Sequence, residues 1–299
     1  MRWLAEQLAA AWGYFLLPFA CFLLPARASG AVVNWASRRA FLYREETRAA
    51  LRHAARSIPE LEAQGFCRTF RQVRLIDAVD LWHGLFSSDR RIERSLVTEP
   101  VPWPRAERLV AVGTHVGPST LTLRRLAAAG YRPRFVYRSI PVVLKRRAPV
   151  WFAYLRLRVA YLHRVCRGGA IAVPGGRGQV ADAIAEPGCA LVLLVDTAAG
   201  GERGGQVIEL FGQALPVSPG GLALAWEGGA TFSFFATRWD AETRRRVVEA
   251  GPARTFSELG ELLQASAGFV QRTVEGNPAQ WQLWSTEAPL LQAPDDPPA

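Results

Sequence analysis

Between Glu6 and Arg27 the chain runs through twenty residues without a charge, QLAAAWGYFLLPFACFLLPA. That is close to the length needed to cross a bilayer. Pro18 and Pro25 interrupt the run, and Trp12 and Tyr14 are residue types that settle at membrane interfaces. A buried helix, a signal peptide with an exit at Ala26-Arg27-Ala28, and a membrane anchor all fit the pattern. Length and lack of charge favour the anchor, spanning or lying in one leaflet. Arg27, Arg38, Arg39, Arg44 and Arg48 follow it, against Arg2 alone before it, so the positive-inside rule puts the bulk of the chain on the cytoplasmic side.

Residues 30–60 read as helical and studded with arginine. In 66–88 the apolar positions Phe66, Phe70, Val73, Ile76, Val79, Trp82 and Leu85 recur at helical spacing. A proline-rich link (Pro100, Pro102, Pro104) then leads into a different rhythm. RLVAVGTH (108–115) reads as a buried strand, 119–130 as a helix stopped by Gly130, 134–139 as a strand and 148–163 as an aromatic-rich helix. CALVLLVD (189–196) and QVIELFG (206–212) read as strands, and 218–229 as a helix opened by Ser218 and Pro219. The run 231–239 pairs with 244–250 across a turn at Asp240-Ala241-Glu242, and 257–275 is the last helix. Apolar strands alternating with helices predict an α/β fold, a mainly parallel central sheet flanked by helices, with an N-terminal hydrophobic helix.

Composition narrows the classes. Of 299 residues 49% are hydrophobic and 21% charged, enough apolar material for a large core and too much for a disordered chain. Cys21, Cys67, Cys166 and Cys189 are widely spaced with no CxxC pair, and the four histidines show no HExxH, so neither a disulfide scaffold nor a metal site is indicated. The formal charge is +10, with Lys145 the single lysine. Such an excess suits anionic lipid, phosphate groups or an acidic protein partner. No helix-turn-helix, zinc finger, RRM or basic zipper supports nucleic acid as the partner.

His115 stands out, in GTHVGPST, where a buried strand ends and a helix is expected to open. Open α/β sheets place ligand chemistry at the carboxyl ends of strands. Gly117 is expected to let the backbone approach a substrate, and Ser119 and Thr120 to cap the helix. A helix N-terminus disfavours imidazolium, which fits a neutral base. A structural histidine bonded to a neighbouring carbonyl is the other reading. No GxSxG elbow is present, and PGGRG (174–178) lacks the P-loop spacing and reads as a turn.

In order and spacing these segments resemble the bacterial lipid A biosynthesis late acyltransferases, the HtrB-like branch of the lysophospholipid acyltransferase superfamily. The resemblance runs through LWHGLFSSDRRIERSLVTEP, GTHVGPST, FVYR, ALVLLVDTAAGG, VIELFGQALPVSPGGLALAWEGGA, FSFFATR and NPAQWQLW. It implies a glycerolipid acyltransferase-like fold and acyl transfer at the cytoplasmic face of the inner membrane, with no bound cofactor and an acyl carrier protein (ACP) or coenzyme A (CoA) thioester as co-substrate. In the family a histidine is followed five positions later by Asp or Glu; His115 matches the general base, and Thr120 stands where the acid belongs. Asp196, at the end of its strand, is the candidate replacement, with a cap on the loop TAAGG as its alternative. The resemblance gives Arg138 the phosphate or oxyanion, against a surface ion pair, with Arg177 as a second candidate. It puts Ser218 and Gly220 in a substrate-binding loop after the Phe211-Gly212 turn, and it leaves the 148–163 helix to line an acyl pocket or to serve as plain core.

The expected organisation is a membrane anchor or interfacial helix at 1–29, a helical N-terminal part at 30–104, an α/β acyltransferase-like core at 105–287 and a disordered tail at 288–299. The expected function is transfer of an acyl group to a hydroxyl or amine of a lipid or specialised metabolite. The expected partners are acyl carrier protein and inner-membrane lipids, with no nucleic acid and no metal. A catalytically impaired acyl- or lipid-binding protein that keeps the fold is the alternative, and Thr120 is its best support.

Overall fold

A computed structural model of the chain describes residues 2–198 and 205–286. The tail expected at 288–299 lies outside the described residues. The helices are α1 (Arg2–Ala11), α2 (Leu17–Leu23), α3 (Ala26–Ser37), α4 (Arg44–Ser57), α5 (Ala63–Phe86), α6 (Asp89–Arg91), α7 (Thr122–Ala128), α8 (Leu144–Arg147), α9 (Pro149–Val165), α10 (Arg177–Ala185), α11 (Gly220–Glu227) and α12 (Leu259–Gly276). The strands are β1 (Val97–Thr98), β2 (Arg108–Gly113), β3 (Arg132–Arg138), β4 (Ile171–Val173), β5 (Cys189–Leu194), β6 (Gln206–Leu210), β7 (Gln213–Val217), β8 (Thr231–Asp240) and β9 (Arg245–Ala250).

Seven strands form one sheet in the order β1-β9-β8-β2-β5-β3-β4. Every neighbouring pair is parallel except β8 and β9, which form the hairpin expected from the Asp240 turn. β2 and β5 sit at the centre and are buried almost throughout, because their apolar side chains meet helices on both faces. The strand read at 206–212 does form, but outside this sheet: it pairs antiparallel with β7 as a separate two-stranded ribbon. Phe211 and Gly212 make its turn with φ of 54° and 71°, a two-residue reversal that needs left-handed backbone at both positions. The alternation of β7 is broken by Pro216 and was not legible as a strand.

The helical N-terminal part is organised by α5. Its side chains Phe70, Val73, Ile76 and Val79 are buried as the spacing predicts, each worth roughly 1.5–3 kcal/mol of burial. Glu62 caps the helix by accepting from the backbone N–H of Gln64 at 2.9 Å. Asp77, Asp80 and His83 are also buried, so α5 is enclosed on more than one face.

The N-terminal apolar run is helical from Trp3 to Leu23, the one described helix long and apolar enough to cross a membrane by length and composition. A π-helical turn at Trp12–Leu16 joins α1 to α2, and Gly13 there accepts a 2.6 Å hydrogen bond from the Tyr43 hydroxyl. Tyr14, Leu17 and Cys21 face inward and pack against the α3–α5 layer, while Leu4, Leu8, Leu16, Phe19 and Leu23 are exposed. The helix is therefore apolar on two sides, one facing protein and one facing out.

Candidate active site

The pairing register brings the site together. β2 and β5 are parallel neighbours with Gly113 opposite Leu194, so their carboxyl ends reach one edge. Two residues beyond those ends stand His115 and Asp196. The His115 Nδ1–H donates to Asp196 Oδ1 at 2.7 Å, and the His115 backbone N–H donates to Oδ2 at 2.7 Å. Asp196 is fully buried, whereas the His115 side chain is 30% exposed.

A third donor comes from far along the chain. Trp281 Nε1–H reaches Asp196 Oδ2 at 2.9 Å. The segment carrying it is tied to the exit of β2: the Gln282 backbone N–H donates to the His115 carbonyl at 3.0 Å, and its side-chain amide donates to the Gly117 carbonyl at 2.7 Å. Burial alone would raise the Asp196 pKa. The charge of His115, its two hydrogen bonds and the Trp281 indole outweigh that and hold the carboxyl below its ordinary value. An ionised carboxylate only accepts, so Nδ1 carries the proton and Nε2 is the basic nitrogen of His115. Among the described residues Nε2 has no hydrogen-bond partner, and His115 lines a cleft of about 310 Å³.

Ser119, Thr120 and Arg138 line the same cleft, whose remaining wall is mainly apolar, from Val192 and Leu194 of β5 to Leu155, Val159 and Leu162 of α9. Two aromatic residues of α9 have a different place: Trp151 and Tyr154 pack against Tyr14 in the core, while Tyr161 lines the cleft beside the aliphatic residues of that helix. Arg138 ends β3, is exposed, and donates from Nη2 to the Ala198 carbonyl at 3.2 Å.

Thr120 does not hydrogen-bond to His115. Its hydroxyl donates to Asp77 Oδ1 at 2.7 Å, Arg158 pairs with the other Asp77 oxygen, and Tyr161 donates to the Thr120 carbonyl at 2.9 Å. Position 120 is thus committed to a buried network with α5 and α9. The helix after His115 begins at Thr122, and neither Ser119 nor Thr120 caps it, which corrects the expected cap and removes the helix N-terminus from His115.

Three further expectations are corrected. Gly117 does not face the cleft. Its φ is 70°, and a Cβ there would lie 2.3 Å from the Thr237 carbonyl oxygen, so what comes close is the backbone of β8. Arg177 and Ser218 are not brought to His115; they line another cavity, of about 500 Å³, with the end of β5 between the two. Ser218 makes no capping bond to α11, whose entry is formed by Pro219.

The other histidines lie elsewhere: His53 on α4, His163 in the last turn of α9, and His83 buried on α5. No group of three or more His, Cys, Asp or Glu among the described residues is placed to hold a metal. Sequence reading assigned no role to Asp77, Arg158 or Trp281. For Asp77 a signal existed, since IDAVD sets two acids into an apolar helical run. For Trp281 nothing local distinguishes a core tryptophan from one that donates to a carboxylate 85 residues away.

No family model and no curated protein matches the chain. Among solved structures it is similar to the crystal structure of the 1-acyl-sn-glycerophosphate (LPA) acyltransferase PlsC from Thermotoga maritima, at 12% identity and a TM-score of 0.39, over 86% of this chain and 99% of that one. What the site does is therefore argued from its own geometry.

Proposed function

We propose that the protein is an acyltransferase working at a membrane surface, with His115 as general base. The observation that carries this reading is the buried Asp196 carboxylate holding the His115 imidazole, with Nε2 left for a largely apolar cleft at the carboxyl edge of the sheet. A base so oriented takes the proton from an acceptor hydroxyl or amine as that atom attacks the carbonyl carbon of an acyl thioester. The new C–O or C–N bond forms, the carbonyl becomes an oxyanion, and its collapse breaks the C–S bond. The departing thiolate then takes the proton back from Nε2, which regenerates the base. Asp196 stabilises the transient imidazolium, and the Arg138 guanidinium at the rim is the group that suits an oxyanion or a substrate phosphate. The aliphatic wall suits an acyl chain.

The net charge of +10 supports an acidic acyl carrier protein as the donor, with coenzyme A thioester as the other carrier of the same bond. The outward stripe Leu4, Leu8, Leu16, Phe19 and Leu23 supports an interfacial anchor, since the opposite face of that helix is taken up by protein. Arginines following the anchor support an orientation on the cytoplasmic side of the inner membrane. The acceptor is a lipid or specialised metabolite with a free hydroxyl or amine.

The test uses the full chain in detergent with acyl-ACP and acyl-CoA. Thiol release or transfer is expected above background and is abolished in His115→Ala. Equal release by both proteins, with acyl ligand still bound, supports the acyl- or lipid-binding alternative and rejects the enzyme.

A further inference from the structure

A second cavity, of about 340 Å³, shares no lining residue with the His115 cleft. It lies where the N-terminal helix ends, between the α2–α3 turn, α5, the α6 region and the β8–β9 hairpin. Four arginines line it, Arg27, Arg91, Arg244 and Arg246, and no Asp or Glu does. Arg246 is buried and neutralised, with Nε donating to Asp80 Oδ2 at 2.9 Å and Nη2 to the other oxygen. Arg27, Arg91 and Arg244 differ: among the described residues their side chains make neither an ion pair nor a hydrogen bond. Arg27, Arg91 and Arg244 are exposed and bring uncompensated positive charge to the lining of the cavity, which favours the entry of an anion.

An independent observation points the same way. Trp239 lines this cavity, is 8% exposed, and its indole N–H is buried without a hydrogen-bond partner. An orphaned buried donor costs about 1–3 kcal/mol. The wall thus carries guanidinium donors and the hydroxyls of Ser29, Ser95 and Thr243, but no carboxylate. Its floor is apolar, from Leu24, Val33, Ile76, Val79 and Leu96. Arg244 itself has left-handed backbone, φ 55°, and its stem lies on Gly30, where a Cβ would sit 3.2 Å from Arg244 Cδ.

We infer that this cavity is a binding site for a phosphate-bearing anion, gripped by Arg27, Arg91 and Arg244, with the Trp239 indole in its wall. Guanidinium forks match phosphate oxygens in pairs, and a phosphate brings the anionic acceptors that this wall lacks. The apolar floor accepts the portion of a lipid that adjoins its headgroup, and Leu24 of the lining directly follows the exposed Leu23 at the end of the anchor helix. A lipid headgroup and free phosphate share this chemistry. The site is separate from the catalytic reading and stands or falls without it.

The experiment monitors the Trp239 indole N–H by nitrogen-15 NMR of the full chain in detergent, assigned by its loss in Trp239→Phe. The titrants are inorganic phosphate, dihexanoyl phosphatidate and, as zwitterionic control, dihexanoyl phosphatidylcholine. Phosphatidate is expected to shift the signal saturably, and Arg91→Gln with Arg244→Gln, both exposed and unpaired, weakens it at least tenfold while the fold is kept. His115→Ala leaves the affinity unchanged. Phosphatidate binding more tightly than inorganic phosphate identifies a lipid headgroup; equal affinity keeps the site and assigns it to free phosphate. No shift with either, equal binding of the zwitterionic lipid, or undiminished binding in the arginine double variant overturns the inference.

Discussion

The two cavities separated by α5 treat charge in opposite ways. In the His115 cleft the carboxylates are placed before any substrate arrives: Asp196 holds His115, and Asp77 holds Arg158 and Thr120. In the arginine cavity one guanidinium of four has its carboxylate, and a tryptophan N–H has no acceptor. A site that must move a proton needs its charges compensated in advance, so that one nitrogen alone is left to react. A site that only holds an anion leaves its donors open until the ligand supplies the acceptors. Asp77 and Asp80, one turn apart on the same helix, are directed to different cavities, which is how one element serves both.

The largest expected effect falls on the compensated side. Replacing Asp196 with Asn keeps the shape but removes the charge, and by analogy with other base-assisted acyl transfers should lower turnover by roughly 10⁴-fold. Steady-state transfer with acyl-ACP measures it; a loss under tenfold would show that His115 does not depend on this partner. Next comes Thr120→Glu, which puts an acid five positions after His115. Here the position points at a buried carboxylate, so the expected outcome is destabilisation of about 3 kcal/mol with no gain in turnover. Urea unfolding and the transfer assay read the two effects, and a rise in turnover would mean that Thr120 can face His115 after all.

Trp281→Phe is intermediate. It leaves Asp196 with the two His115 donors and should cost about 1–3 kcal/mol while moving the acid limb of the stability profile upward, because one of the contacts that depress the Asp196 pKa is lost. A loss of stability with an unmoved limb would give Trp281 a packing role only.

A pH-dependent effect on stability sharpens the arginine side. Burial first, then the charges of Arg246 and Arg91, push the His83 pKa down to about 3. The unfolded chain, with an ordinary value near ~6.5, takes up that proton first as pH falls. Stability contributed by neutral His83 is therefore present above about pH 6.5 and is lost progressively toward pH 3, at about 1.4 kcal/mol per unit. Urea midpoints of His83→Gln should flatten with pH over this window relative to the parent; parallel slopes would show that His83 titrates normally.

Much of the fold was legible because it depends on local periodicity. The alternation of apolar runs and helices marked β2, β3, β5, α5, α9 and the β8–β9 hairpin within a few residues, and the apolar β2 and β5 sequences implied a sheet covered on both faces. Strand ends were harder at 206–212, where a run with strand composition pairs with β7 instead of joining the main sheet. Hydrophobic pattern specifies that a strand is buried and says nothing about which neighbour it chooses.

The residue types for base chemistry, the strand ends that carry them and the surplus of arginine could all be read along the chain, since each is a matter of composition or of spacing over a few residues. Which groups meet was decided by register and by packing of distant segments. The pairing register of β2 with β5 sets His115 against Asp196, the 280–282 segment adds Trp281, and α5 carries Asp77 to the Thr120 hydroxyl. The same packing left Arg177 and Ser218 in another cavity and gathered Arg27, Arg91 and Arg244, up to 217 positions apart, around a third. Hydrogen bonds and charge repulsion act over a few ångströms in space, and chain separation carries no record of them.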